Sequence, residues 1–345
     1  MTSFLDQLPK GIRAIAESVN VTKPEDVLTT SKCKFLDSRL QDLDTVARAC
    51  SPEDVRILKD AAAKWLAEVP QTADSLFKPL ANVRWSRVTF GCSALDRCTG
   101  GGVVTRGITE IFGGYSVGKT HLLLHLSLGV QLPRELGGLG KGVAYICTGS
   151  PFPARRLLHI SKTWEQRYPN TKLNFLANVM VEVQKDAKSL MDCVNNRLSD
   201  LFQQHGIGLI VIDSVAAVFR DCKDFNQRAR DLRSLTNTLL SYSEKYNCAV
   251  VCVNEAVSSI DGDGDDQAPL GLQWAHLGRT RLRVTKEPKQ HKLGDELFTV
   301  RRLEVMYSPE TPNDFGQFLI TSEGVVDVPQ PTPPRPPPKI RCIRQ

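Results

Sequence analysis

Gly113-Gly114-Tyr115-Ser116-Val117-Gly118-Lys119-Thr120 fits the pattern G-x-x-x-x-G-K-[ST], and its surroundings decide the fold. The strand-like run Ile108-Thr109-Glu110-Ile111-Phe112 precedes it, and the helical stretch His121–Gln131 follows. Glycines at the loop's ends let backbone N–H groups curl around phosphate oxygens, and the helix N-terminus adds partial positive charge. Lys119 is placed to reach the β- and γ-phosphates, and the Thr120 hydroxyl to ligate Mg²⁺. The candidate nucleotide contacts are therefore Gly113, Gly114, Tyr115, Ser116, Val117, Gly118, Lys119, Thr120 and the next residue, His121. Nearly a hundred residues downstream, Leu209-Ile210-Val211-Ile212-Asp213 is an apolar run ending in a carboxylate. Ligands of α/β sheets sit at the carboxyl ends of the strands, so Asp213 joins Thr120 as a candidate Mg²⁺ ligand. The chain is expected to bind a nucleoside triphosphate.

On either side of this loop, short β-rich runs alternate with helical stretches. The runs are 107–112, 143–148, 179–183, 209–213 and 249–253, and the helices 121–131, 154–168, 187–204 and 227–246. That alternation predicts a mainly parallel sheet with helices on both faces. Further strands near 279–285, 298–306 and 316–321 predict an antiparallel extension. Residues 1–68 read as a small helical domain. Ser51-Pro52-Glu53-Asp54 supplies an N-cap, a proline at the first helical position and first-turn acids, and Val55, Leu58, Ala62 and Leu66 follow at helical spacing. Residues 69–88, with Pro70 and Pro79, read as a linker; 89–328 form the core, and 329–345 a tail.

With 345 residues the chain has length for about two domains. At 41% hydrophobic and 24% charged residues its composition is that of a globular protein. It has no apolar run near the 18 or so residues of a membrane span. Asp6 and the lack of an apolar stretch at the start argue against a secretory leader. The ten cysteines lie far apart with no CxxC pair, so neither a zinc site nor a disulfide framework is expected, and the compartment is read as reducing and intracellular. Four of the six net positive charges, Arg335, Lys339, Arg341 and Arg344, sit in the tail PQPTPPRPPPKIRCIRQ, which has seven prolines and no acid. Such a segment is expected to stay disordered with polyproline II character. It is open whether it touches nucleic acid, serves a proline-reading partner, or is a solvated end. In 1–68, ten basic residues face eleven acids, so charge alone marks no DNA patch there.

The ordered set FGCSALDRCTGGG (90–102), GITEIFGGYSVGKT (107–120), YICTGSPFPARRL (145–157), LIVIDSVAAVFR (209–220), AVVCVNEAV (249–257) and WAHLGRTRL (274–282) resembles the eukaryotic RecA-like recombinases, and among them their strand-exchange paralogues. The resemblance implies an α/β fold: a RecA-like P-loop ATPase core preceded by a small all-helical domain. It implies ATP and Mg²⁺ as cofactors, homologous recombination repair of DNA double-strand breaks, and the nucleus as the working place, with a cytoplasmic pool left open. Partners implied are another RecA-like recombinase paralogue, in a heteromeric complex, and single-stranded or branched DNA. By the same resemblance, Arg156 matches a position that stacks on adenine. Ser308, Pro309 and Pro312 match a segment that caps a neighbouring subunit's ATP, and His276 and Glu255 match γ-phosphate sensors.

The chain departs from the family pattern at telling places. Where active recombinases carry a water-orienting glutamate stands Gly149, and loss of a general base typically costs about 10²- to 10⁴-fold in rate. No catalytic residue is assigned; Glu182 is a substitute that nothing in the sequence places. Glu255 replaces the usual glutamine and would be repelled by phosphate unless a cation offsets it. The loop Asp261–Asp266 is acidic where the family meets DNA. Its D-x-D-x-D start mimics a calcium loop, but Asp266 stands where glycine is required, and a solvated loop is the better reading. Arg279, Arg281 and Arg283 alternate on one strand face, a candidate for phosphate contact, a subunit interface or plain solvent. In the linker, Phe77 precedes Ala81 by one residue more than the family's interface motif. The expected function is an ATP-binding mediator with weak or absent hydrolysis; the alternative is an ATP-clamped structural subunit without DNA contact.

Overall fold

Strand Ile207–Asp213 shows how the sheet sorts its side chains. Leu209 and Val211 enter one buried apolar cluster, and Ile210 and Ile212 enter the other. This two-residue period with both faces buried is the signature of a parallel sheet covered by helices on each side. The computed structural model describes residues 4–19, 21–29, 39–40, 48–49, 51–67, 72, 85–220, 222, 224–255, 270, 274 and 278–329. Phe77 and Ala81, the acidic loop 261–266, His276 and tail residues 330–345 lie outside the described residues.

The chain divides into two compact units, Met1–Val83 and Arg84–Gln345. In the first, helices α1 (Lys10–Ser18), α2 (Pro24–Thr29) and α3 (Pro52–Leu66) are described. Ser51 caps α3 as its sequence predicts: its hydroxyl accepts the Asp54 N–H at 3.2 Å, and the Asp54 carboxylate accepts the Ser51 N–H at 3.0 Å. Ile12, Ile15, Val27, Val55, Leu58 and Ala62 make the unit's core. The unit is not wholly helical, because Arg39–Leu40 and Arg48–Ala49 pair as a short antiparallel bridge.

The second unit begins with a feature the sequence hides. Arg87–Val88 pair antiparallel with Val103–Val104, and the Ser86 N–H donates to Thr105 Oγ1 at 2.9 Å. Residues 85–88, read as linker, thus bond to the core; these partners lie some 15 to 20 positions away and leave no local pattern. Helix α4 (Ser93–Cys98) follows, then β1 (Ile108–Gly113), α5 (Lys119–Gly129), β2 (Gly142–Cys147), α6 (Ala154–Arg167) and β3 (Val179–Val183). The stretch 187–204 is α7 (Ala187–Asp192) and α8 (Leu198–Gln204) joined through a π-helical segment, Cys193–Arg197. Then come β4 (Ile207–Asp213), α9 (Val215–Phe219), α10 (Phe225–Tyr246), β5 (Ala249–Glu255), β6 (Thr280–Leu293), β7 (Glu296–Tyr307), β8 (Phe315–Thr321) and β9 (Gly324–Asp327).

These strands form a nine-stranded sheet in the order β9-β8-β7-β6-β1-β5-β4-β2-β3. The run from β6 to β3 is parallel throughout, and β7, β8 and β9 add on antiparallel. The extension is therefore antiparallel only from its second strand onward. Helix α5 is buried nearly all round through Leu122, Leu123, Leu124, Leu126 and Leu128, as befits a helix inside the core. On the other face α10 buries Leu232, Leu235, Leu239 and Tyr242, a spacing of three and four that gives one apolar stripe.

Candidate functional site

Parallel pairing brings the carboxyl ends of four strands level. Gly113 of β1 lies opposite Glu255 of β5, Val253 of β5 opposite Asp213 of β4, and Asp213 opposite Cys147 of β2. Over these ends opens a cleft of about 580 Å³ lined by Tyr115 through His121, by Tyr145 and Gly149, by Asp213 and Glu255, and by Arg220 and Arg301. Every residue of the sequence-predicted loop from Tyr115 to His121 borders this cleft.

The loop's conformation explains its glycines. Gly118 has φ 111°, and a Cβ built there would stand 2.5 Å from Ile320 Cδ1; Ser116, at φ 59°, is also left-handed. Lys119 Nζ donates to the carbonyls of Gly113 at 2.9 Å and Gly114 at 2.7 Å. Burial pulls its ammonium below the usual lysine range, and the charges of Glu255 and Asp213 act in the opposite direction. Among the described residues the N–H groups of Ser116, Val117 and Gly118 meet no acceptor. A row of unfilled donors beside a partly buried ammonium fits a polyanion such as a triphosphate.

Thr120 and Asp213, ninety-three residues apart, meet here: Thr120 Oγ1 donates to Asp213 Oδ2 at 3.1 Å. Tyr145, which no sequence pattern singled out, donates to the same oxygen at 3.0 Å. Burial pushes the Asp213 carboxyl up, while hydrogen bonds from Tyr145 and Thr120 and the charge of Lys119 pull it back. A hydroxyl beside a carboxylate is a hard oxygen pair that suits Mg²⁺, an ion that takes few protein ligands and completes its shell with water and phosphate. Among the described residues no group of three or more His, Cys, Asp or Glu side chains could hold a metal, so an ion at Thr120 and Asp213 would need that outside supply.

Arg156 stands at the loop's far side. Its guanidinium donates to the carbonyls of Thr321 at 2.5 Å and Ser322 at 2.8 Å, and its Nε to His121 Nε2 at 3.2 Å. Burial, and then the neighbouring charges of Arg156 and Arg301, lower His121 to about 4, so the ring is neutral and free to accept that bond.

Gly149 borders the cleft, where a Cβ would meet Ala217 Cβ at 3.3 Å. The hydroxyl of the preceding Thr148 accepts the Ser214 N–H at 2.8 Å, tying this strand end to that of Asp213. Glu255 is offset by a cation, as its position requires: Arg220 donates to its Oε2 at 2.9 Å. Glu182 is not brought to the cleft. It lies on β3 and pairs with Arg197 at 2.7 Å.

The arginine strip is not a free surface. Arg279 pairs with Glu310 at 2.6 Å, Arg281 with the buried Glu110 at 2.8 Å, and Arg283 with Glu304 at 2.8 Å. Alternation placed Arg281 and Arg283 correctly on a strand, whereas Arg279 lies in the bend just before it; the carboxylates opposite them come from β1, from β7 and from the turn beyond it. Ser308, in the expected capping segment, accepts the N–H groups of Glu310 and Thr311 at 3.2 and 3.3 Å and so holds that turn.

With this geometry in place, the chain matches the Rad51 family model over residues 83–328. It is similar to the DNA repair protein XRCC3 of Mus musculus, 32% identical over 267 residues, covering 70% of this chain and 76% of that protein. It is 30% identical over 285 residues to the DNA repair protein XRCC3 homolog of Arabidopsis thaliana, covering 70% and 93%. The DNA repair and recombination protein RadA of Cenarchaeum symbiosum (strain A) is 28% identical over 289 residues, covering 82% and 66%.

Proposed function

Because this chain belongs to the Rad51 family, we propose that it is an ATP-binding DNA repair and recombination protein. Its role is that of a mediator in homologous recombination repair of double-strand breaks. It works in the nucleus within a heteromeric complex with another RecA-like paralogue, and in that complex it meets single-stranded or branched DNA. ATP is held by the loop Gly113–His121, Lys119 faces the β- and γ-phosphates, and Arg156 bounds the adenosine end. Mg²⁺ is held by Thr120 and Asp213, and once bound it neutralises phosphate charge. The names of the similar proteins support the repair role.

The observation that carries the nucleotide reading is the meeting of Thr120 with Asp213 beside a loop whose N–H groups lack acceptors. Hydrolysis is slow because the cleft offers no spare carboxylate among its described residues. Asp213 is engaged by Thr120 and Tyr145, Glu255 by Arg220, and Gly149 has no side chain. The pairing of Arg279, Arg281 and Arg283 with carboxylates favours a second reading, an ATP-clamped structural subunit with no DNA contact of its own.

Titration of the full chain with ATP and Mg²⁺, with Lys119→Ala alongside, tests the first step. Unchanged affinity in the variant refutes the site. Co-purification with candidate paralogues, followed by a salt series on single-stranded DNA, separates the two readings. A salt slope near zero for the assembled complex selects the structural subunit.

A further inference from the structure

Arg301 belongs to none of the sequence motifs. In the structure it lines the nucleotide cleft from β7. Its Cδ and Nε lie 3.4 and 3.5 Å from where a Cβ of Gly118 would stand, so the guanidinium lies against the loop itself. Its neighbour Arg302 also has a buried Nε with no acceptor, but it is paired with Glu304 at 3.2 Å and stacked on the Phe315 ring at 3.8 Å. Arg301 differs in having no counter-charge among the described residues. Its NH1 donates to the Thr299 carbonyl at 3.0 Å, its Nε is buried with no acceptor, and among the described residues it has no carboxylate partner. Arg156, whose Nε donates to His121, also lacks a carboxylate partner among the described residues.

Desolvating a cation without a counter-charge costs stability. A half-buried guanidinium with an unfilled donor, facing a cleft that fits a polyanion, is a site completed by its ligand. Lys119 Nζ marks one end of the loop, at the carbonyls of Gly113 and Gly114, and by its role the β- and γ-phosphate end. Arg301 stands at the Gly118–His121 end. We propose that Arg301 is a second cation of the nucleotide site, donating to the α-phosphate, so that it holds ATP and ADP alike while Lys119 discriminates between them. This rests on the nucleotide-binding reading above and adds a residue to it.

The test uses the full chain with Mg²⁺ and fluorescent ATP and ADP, and compares wild type, Arg301→Met, Arg302→Ala and Lys119→Ala. A charge-assisted hydrogen bond predicts that Arg301→Met loses about 10- to 100-fold in affinity for both nucleotides, within about twofold of each other, whereas Arg302→Ala loses none. The melting temperature without nucleotide should not fall in Arg301→Met, because the change removes an unpaired desolvated charge and keeps an unbranched chain against Gly118. Unchanged affinity in Arg301→Met, with loss in Lys119→Ala, overturns the inference and leaves the nucleotide site standing. A loss confined to ATP overturns the α-phosphate placement, and a lower melting temperature without ligand shows a structural role instead. If wild type binds neither nucleotide, the site reading itself fails, and the inference falls with it.

Discussion

Replacing Glu110 by leucine should cost this protein more than any surface change. Glu110 lies in the middle of β1, 1% exposed. Its Oε1 accepts from Asn254 Nδ2 at 2.7 Å and from Trp274 Nε1 at 2.9 Å, and its Oε2 from Arg281 Nε at 2.8 Å. Leucine would strand a guanidinium and two neutral donors at once. Removing one partner of a buried ion pair costs about 3–5 kcal/mol, and a stranded neutral donor about 1–3 kcal/mol. The losses overlap, since the three donors share one carboxylate. Arg281 also keeps the Phe112 ring at 4.7 Å. A net cost of about 4–6 kcal/mol follows, or roughly 8–24 °C in melting temperature for a unit of this size. Asn254 immediately precedes Glu255, so the same change should also disturb the cleft and reduce the stabilisation by ATP. Thermal and denaturant unfolding followed by circular dichroism would measure both. Glu110→Leu combined with Arg281→Met should recover at least about 2 kcal/mol over Glu110→Leu, because the stranded charge is gone. A single-variant cost below about 1 kcal/mol, or no recovery in the double variant, would refute the network as a structural anchor.

Asp213→Asn keeps an acceptor for Tyr145 and Thr120. The folded carboxyl is raised, so the Asp213 contribution is full below its unfolded value of about 3.9 and is lost as pH rises through the folded value. At neutral pH the variant should therefore melt no lower than wild type without ligand, yet lose the Mg²⁺-dependent part of the ATP-induced shift in calorimetry. His125 shows the opposite sign. Burial lowers it to about 3, and its Nε2 accepts the Val325 N–H at 2.8 Å, so its stabilisation is present above about 6.5 and drains as pH falls toward 3. His125→Gln should flatten the stability–pH curve between about 6.5 and 4 by up to roughly 1.4 kcal/mol per pH unit, read from urea midpoints; an unchanged slope would contradict it. Gly149→Glu, with Ala217→Gly to relieve the 3.3 Å contact, should raise single-turnover hydrolysis by about 10²-fold or more if an absent base is what limits the rate. No gain over background would mean that another group is missing as well.

Much of the fold was legible because its signals are local. The phosphate loop announces itself by spacing, the parallel sheet by the alternation of short β-rich runs with helical stretches, and α3 by Ser51-Pro52-Glu53-Asp54. Asp213 was legible too, since a carboxylate at the end of an apolar strand can reach a ligand only at that end of a sheet. Strand pairing is different: it joins residues that share no local pattern. Pairing decided that 85–88 belong to the core and that Arg281 answers a glutamate on β1 rather than a ligand, while helix packing on β3 gave Glu182 its partner Arg197. Pairing also decided that Tyr145 points its hydroxyl at Asp213, and that of two adjacent arginines Arg302 is neutralised while Arg301 faces the cleft. The sequence by itself determined which residue types stand beside the G-x-x-x-x-G-K-[ST] loop. Only the tertiary structure decided which charges are already paired, because the worth of a charge depends on what lies across the sheet from it and how much water is left between them.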